Sequence, residues 1–315
     1  MTARMRAVSQ DVLGGPEVLK VVEVDRPEPG PAEVLVRVRA AGVNPTDWKH
    51  RAHGYWLGEP PFVLGWDVSG VVEAVGAGAA LHKPGDEVFG MLPYPAGAGS
   101  HAEYVTAPTR AFARKPAGID HVQAGALPLA ALTAWQALVD TAGVQAGQRV
   151  LVHAAAGGVG HLAVQIAKAH GAHVIGTASA GKHDLVRRLG ADEVVDYTRV
   201  DFAEAVRDVD IVIEGIGGDY GPRSLATLRP GGVLVSLVLN NVDPDLDALA
   251  DKAGIRHEQM LVEVDHAALA RIADLAAGGA LRAEIDTVLP LERAAEAHAR
   301  GETGRTTGKI VLTVD

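Results

Sequence analysis

The segment richest in chemistry is Ala155-Ala156-Gly157-Gly158-Val159-Gly160, set between an apolar strand candidate at 150–153 and a stretch with helical periodicity. Aligned with the dinucleotide fingerprint G-x-G-x-x-G, it carries Ala155 in place of the first glycine. Gly157 lets the backbone approach a pyrophosphate, and Gly160 permits close packing of helix on strand. The start of the helix offers free N–H groups and a partial positive charge. Val159, Leu162, Ala163, Ile166 and Ala167 recur on one helix face, and Gly171 stands where that helix would stop. Gly157, Gly158, Val159 and Gly160 are therefore the expected phosphate contacts.

The end of the next strand decides which nucleotide fits. An NAD-specific fold places Asp or Glu there, about 20 residues after the fingerprint, to bind the ribose hydroxyls. Here residues 173–177 run into Ala178-Ser179-Ala180-Gly181-Lys182, with no acid. The Ser179 hydroxyl and Lys182 ammonium suit a 2′-phosphate, and no carboxylate repels it. NADPH is the expected cofactor. Lys182 taken alone reads equally well as a solvated surface lysine.

Other chemistries lack their residues. With Cys 0, the chain has no disulfide, thiolate nucleophile or Cys-based metal site. His257-Glu258 begins like H-E-x-x-H, but Leu261 takes the place of the second His; Thr307-Gly308-Lys309 is followed by Ile310, which spoils a Walker A reading. Neither Y-x-x-x-K nor G-x-S-x-G occurs. A net charge of −10 without a basic tract argues against nucleic acid as a partner. The longest apolar region, 150–169, contains His, Gln, Lys and several glycines, so no membrane span is expected. The first twelve residues lack the apolar core of a signal peptide, and a cytoplasmic location is the expectation.

These residues need elements to hold them. At 315 residues, 48% hydrophobic and 22% charged, the chain is globular and long enough for about two domains. Val34, Val36, Val38 and Ala40 alternate with polar and apolar partners at the period of a half-buried strand. Further short runs at 68–75, 87–91 and 102–106 lie between glycines and prolines, which reads as a barrel-like β domain. From 149 to 239, five apolar strand candidates alternate with helical stretches, the pattern of a doubly wound parallel sheet. After residue 265 come a helix, a strand near Ile285 and Leu289, a helix at 291–300 and a last strand at 309–314. The residues leave open which domain this tail joins.

AAGVNPTDWKHR, PFVLGWDVSGVVEAVG, KPGDEVFG, GSHAEYV, ALPLAALTAWQAL, LGADEVVDY and a terminal TGKIVL, in that order around the AxGxxG turn, resemble the zinc-free quinone oxidoreductases. These form the zeta-crystallin-like branch of the medium-chain dehydrogenase/reductase superfamily. The resemblance spans essentially the whole chain. It implies a GroES-like substrate domain from 1–123 and 265–315, a Rossmann NADPH domain from 124–264, and an active site in the cleft between them. Zinc-dependent relatives place Cys, His and Glu where this chain has Asn44, Trp66 and Asp67, so no metal is expected. The implied reaction is hydride transfer from NADPH to a quinone or an activated alkene such as an enone or enal. Enoyl-thioester reduction, or a non-catalytic NADPH-binding role of crystallin type, are the alternatives.

The resemblance also assigns residues. Asn44 is expected at the nicotinamide, and Lys49 or Tyr55 as donor to the developing oxygen anion. The competing structural readings make Asp47 a local cap and Arg51 a surface charge. Thr133 matches a helix-start hydroxyl that reaches the nicotinamide or phosphates, and Tyr197 an aromatic beside the 2′-phosphate. Gly215 and Gly217 fall on the adenine side, Ser236, Leu237 and Val238 at the nicotinamide, and Arg305 and Lys309 near phosphate or ribose. Residues 92–98, with Tyr94, are expected to line the substrate pocket, while His101 and Tyr104 read as packing residues. A homodimer is implied, with 233–239 as the edge strand that pairs across the two-fold.

Overall fold

Period-two alternation needs a sheet with one covered face, and the strand Glu33–Val43 is the spine of such a sheet. The computed structural model describes residues 3–314, which form two units: one from the residues up to Leu132 and those from Glu263 onward, the other Thr133–Val262. In the first unit the strand order is Ile285–Pro290, Lys309–Thr313, Glu33–Val43, Asp67–Val75, Glu87–Met91 and Phe112–Arg114, with Tyr104–Pro108 also paired to Glu33–Val43. Lys309–Thr313 runs antiparallel to Glu33–Val43, in a register that sets Ile310 against Val43 and Leu312 against Ala41. The C-terminal tail thus completes the N-terminal sheet. Arg4–Gln10 heads a smaller sheet with Lys20–Asp25 and Phe62–Val63.

The second unit is a six-stranded parallel sheet in the order Glu193–Val195, His173–Thr177, Arg149–Val152, Val209–Glu214, Leu228–Ser236, Arg256–Gln259. This is the dinucleotide-binding order, with the fingerprint strand Arg149–Val152 at the switch point. Leu151, Ile175, Val212 and Leu234 are fully buried, as strands covered on both faces require; burying each stabilises by about 1.5–3 kcal/mol.

Two expectations change. The strand Leu228–Ser236 lies between Val209–Glu214 and Arg256–Gln259, so 233–239 is not an edge. The edge on that side is Arg256–Gln259, whose polar sequence RHEQ gave no apolar signal because an edge strand has less surface to cover. The expected 291–300 helix is a short 3-10 turn, Leu291–Arg293, followed by the α-helix Ala294–Glu302.

Candidate active site

The fingerprint strand ends in a turn held by a tight set of backbone contacts. Ala154 sits at φ +47, its N–H donates to Thr177 Oγ1 at 3.2 Å, and Gly157 N–H donates back to Ala154 O at 2.7 Å. A Cβ on Gly160 would collide with that same Ala154 carbonyl oxygen, and one on Gly157 would lie 3.1 Å from it. The helix Gly160–Ala169 starts directly after the turn. These are the features that let a pyrophosphate approach the backbone and the helix start, so the turn fits a dinucleotide.

Sequence reasoning missed what supports the turn from beneath. His153 is buried with Nδ1 3.3 Å from Thr177 Oγ1 and Nε2 3.0 Å from Ser224 Oγ, its ring against Phe202 and Tyr220. Burial, with Arg223 adding to it, lowers its pKa to about 3, so the ring stays neutral and brings no charge to the glycine turn. A single His at a strand end carries no pattern that marks this role.

Around the nucleotide turn, Ser179 and Lys182 flank a short 3-10 turn, Lys182 N–H donating to Ser179 O at 2.9 Å. Both are partly exposed, and Tyr197 is 47% exposed. Glu214, buried, accepts the N–H groups of Ile216 and Gly217, and Gly217 takes φ +84, which favours glycine. Ser236 is buried with Oγ 3.0 Å from His257 Nε2; Leu237 and Val238 beyond it are partly exposed. Thr133 lies within the helix Pro128–Trp135 and not at its start.

In the first unit, Asn44-Pro45 opens the helix Pro45–His53 with a local cap: Asp47 N–H donates to Asn44 O at 2.9 Å, and Asp47 Oδ2 accepts Asn44 N–H at 2.6 Å. Asp47 is thus the local cap. Behind it lies a buried polar cluster. Asn44 Nδ2 donates to Asp67 Oδ2 at 2.8 Å, Leu129 N–H donates to Asp67 Oδ1 at 2.6 Å, and Lys309 Nζ lies 3.3 Å from Asp67 Oδ2 and donates to Asn44 Oδ1. Lys309, expected at a phosphate or ribose, is instead only 2% exposed and committed to this cluster. One N–H of the Asn44 amide is left for a ligand.

Burial raises the Asp47 pKa from 3.8 to about 8, with the nearby Asp67 adding to the rise and the backbone N–H groups of Asn44 and Gly65 opposing it. The folded state therefore keeps a proton that the unfolded chain sheds near 3.8. The resulting stabilisation is complete below that pH and is lost as pH rises through about 8. Asp47→Asn is expected to flatten this part of the stability profile in guanidinium unfolding between pH 4 and 8.5. An unchanged slope would place the proton elsewhere.

Lys49 is exposed on the same helix, and Tyr55, 47% exposed, sits just past its end at φ +40 between Gly54 and Gly58. The Tyr55 ring meets His50 at 5.6 Å and Trp56 at 6.3 Å. Arg51 is not the surface charge of the simpler reading. It is 1% exposed and donates to Gly14 O at 3.0 Å and Glu302 Oε1 at 2.5 Å, with His298 Nδ1 at 3.2 Å. Arg51 thereby ties the helix Pro45–His53 to the C-terminal helix Ala294–Glu302. Tyr94 reaches the Pro45–His53 helix with its hydroxyl 3.2 Å from Thr46 Oγ1. His101 is fully buried, its pKa lowered by burial to about 4, and Arg26 stacks on Tyr104 at 4.2 Å. Arg305 is exposed, its N–H donating to Thr303 Oγ1 at 3.3 Å. Among the described residues, no cluster of three or more His, Cys, Asp or Glu is arranged to hold a metal ion.

Residues 189–312 match a family described as zinc-binding dehydrogenase, and residues 30–117 match the alcohol dehydrogenase GroES-like domain. The chain is 35% identical over 321 residues to a 2-haloacrylate reductase of Burkholderia sp, an alignment that covers 95% of this chain and 96% of that protein. A quinone oxidoreductase structure from Coxiella burnetii matches with TM-score 0.94 and 36% identity, over 99% of this chain and 100% of that one. The Escherichia coli quinone oxidoreductase complexed with NADPH matches with TM-score 0.89 and 29% identity, over 99% and 100% of the two chains. A GroES-like sheet and a parallel dinucleotide sheet define a class of nucleotide-dependent oxidoreductases. The chain belongs to the medium-chain dehydrogenase/reductase superfamily, in its quinone oxidoreductase branch. No helix among the described residues is long and apolar enough to cross a membrane.

Proposed function

We propose that this protein is an NADPH-dependent reductase that transfers hydride to quinones or to alkenes conjugated with a carbonyl, without a metal. The observation that carries the reading is the turn from Ala154 to Gly160, where a Cβ on Gly160 has no room and the backbone stands open to a pyrophosphate. Support for the acceptor class comes from the names of the relatives, a 2-haloacrylate reductase and quinone oxidoreductases.

NADPH, when bound, supplies the hydride, and the chain's residues hold and orient it. Gly157, Gly158, Val159 and Gly160 take the pyrophosphate, and Ser179, Lys182 and Tyr197 the 2′-phosphate. Gly215 and Gly217 leave room on the adenine side. Asn44, Thr133, Ser236, Leu237 and Val238 orient the nicotinamide, and Arg305 reaches a phosphate or ribose. Lys309 acts by holding Asn44. Lys49 or Tyr55 donates a hydrogen bond to the oxygen on which negative charge develops; conjugation already activates the acceptor, so no Lewis acid is required. The functional form is a cytoplasmic homodimer.

The test is oxidation of NADPH and NADH by wild type and Lys182→Ala with a naphthoquinone, an enal, a cyclic enone and an enoyl-CoA. Wild type is expected to favour NADPH with the first three acceptors, and Lys182→Ala to lower kcat/KM for NADPH about 10-fold while leaving NADH unchanged, the loss of one charge-assisted contact. Activity with enoyl-CoA alone would transfer the protein to thioester reduction. Equal use of both nucleotides, unmoved by the substitution, would remove the NADPH assignment.

A further inference from the structure

Hydride addition to a conjugated acceptor leaves an oxygen anion that must gain a proton, and a donor that gives one must be resupplied. Lys49 and Tyr55 stand exposed, and among the described residues no hydrogen bond links the Tyr55 hydroxyl to a second proton carrier. Tyr94 differs. Its hydroxyl is 3.2 Å from Thr46 Oγ1, which is 3.1 Å from His50 Nδ1. His50 Nδ1 also lies 2.8 Å from Thr46 O, so that nitrogen carries the hydrogen and Nε2 is left as the acceptor.

That Nε2 is buried in a residue only 1% exposed, and no hydrogen bond reaches it. The neighbouring Trp66 Nε1 is a second buried polar atom without a partner, on a ring 5.0 Å from that of His50. Two unpaired polar atoms, one donor and one acceptor, on adjacent buried rings call for a polar occupant such as water. Tyr94, Thr46 and His50 therefore form a connected path from the partly exposed Tyr94 phenol, which meets the helix at Thr46, two residues after Asn44, to a buried nitrogen ready to accept a proton.

We propose that Tyr94 is the proton donor to the reduced acceptor and that Thr46 and His50 resupply it. The proposal rests on the reductase reading above. In the step, hydride forms a C–H bond at the β-carbon of an enone while the alkene π pair moves toward the carbonyl oxygen; the Tyr94 O–H bond breaks as the new O–H bond forms. The Tyr94 oxygen then takes the Thr46 hydroxyl proton, Thr46 takes the Nδ1 proton of His50, and His50 Nε2 accepts a proton from water. NADPH is oxidised and the alkene reduced by one hydride and one proton, with hydroxide from the water neutralised by solvent. Burial lowers the His50 pKa and raises that of Tyr94, so the imidazole begins neutral and the phenol begins protonated.

Tyr94→Phe keeps the ring against Trp56 and Trp66 and removes only the hydroxyl. With a cyclic enone its kcat is expected to fall about 100-fold at unchanged NADPH affinity, the scale of a lost general acid. Thr46→Val is expected to slow turnover and turn a curved solvent-deuterium proton inventory into a linear one, whereas Thr46→Ser restores both; a packing role would leave the inventory unmoved. Tyr94→Phe turning over within 3-fold of wild type, or Thr46→Ser behaving as Thr46→Val, overturns the relay while the reductase reading stands. Wild type without activity toward any acceptor overturns both.

Discussion

Replacing Lys309 with Met is expected to cost about 3–5 kcal/mol of stability, because it strands the buried carboxylate of Asp67. Neither partner has water to fall back on: Lys309 is 2% exposed and Asp67 fully buried, their charged atoms 3.3 Å apart. The remaining partners of Asp67, Leu129 N–H and Asn44 Nδ2, are neutral donors that satisfy its lone pairs without cancelling its charge. At about 2–4 °C per kcal/mol for a domain of 150–250 residues, the thermal midpoint falls by roughly 6–20 °C.

The double variant Asp67→Asn/Lys309→Met tests the cause. Asn keeps an acceptor for Leu129 N–H, and Asn44, released from Lys309, can turn its amide so that its oxygen accepts from the new side chain. It is expected to recover more than half of the loss, a coupling that two independent sites would not show. A single variant within about 1 kcal/mol of wild type in guanidinium unfolding would mean that the pair contributes little. The same cluster fixes Asn44, so, with Asn44 in its proposed place at the nicotinamide, the stability effect is expected to be accompanied by a higher Kd for NADPH.

The second large effect falls on the nucleotide turn. Gly160→Val is expected to raise the Kd for NADPH about 100-fold, equivalent to about 2.7 kcal/mol. The added Cβ would meet the Ala154 carbonyl oxygen, with Ala154 C at 2.8 Å and Ala155 Cα at 2.9 Å. All three are backbone atoms, so no side chain can rotate out of the way, and the helix must leave the strand it caps. That displaces the N–H groups offered to the pyrophosphate. Gly157→Ala, whose Cβ would lie 3.1 Å from the same oxygen, is the milder comparison, with about a 10-fold loss. Calorimetric titration with NADPH separates them; Gly160→Val binding within 3-fold of wild type would disprove the steric account.

The amino-acid sequence by itself determined what depends on neighbours along the chain. The apolar strands Arg149–Val152 and His173–Thr177, the glycine turn and the amphipathic helix Gly160–Ala169 are written in consecutive residues, because periodicity and backbone freedom are local properties. The cap of Asp47 on Asn44 spans three residues and was legible for the same reason. The order of motifs also carried the fold class through resemblance.

Only the tertiary structure decided which polar groups lose their water. Lys309 and Asp67 are 242 positions apart, and Arg51 and His298 are 247 apart. The resemblance implies Lys309 near a phosphate or ribose, and Arg51 taken along the chain reads as a surface charge, since a basic side chain carries no mark of its burial. The sheet that brings Lys309–Thr313 onto Glu33–Val43, and the packing of the C-terminal helix beside the Pro45–His53 helix, remove the solvent and leave each charge to the partner the fold supplies. Tyr94 joins Thr46 and His50 in the same way, across 48 positions. Burial and long-range pairing are properties of the assembled sheet, and they convert ordinary surface residue types into the buried supports of Asn44 and of the proton path.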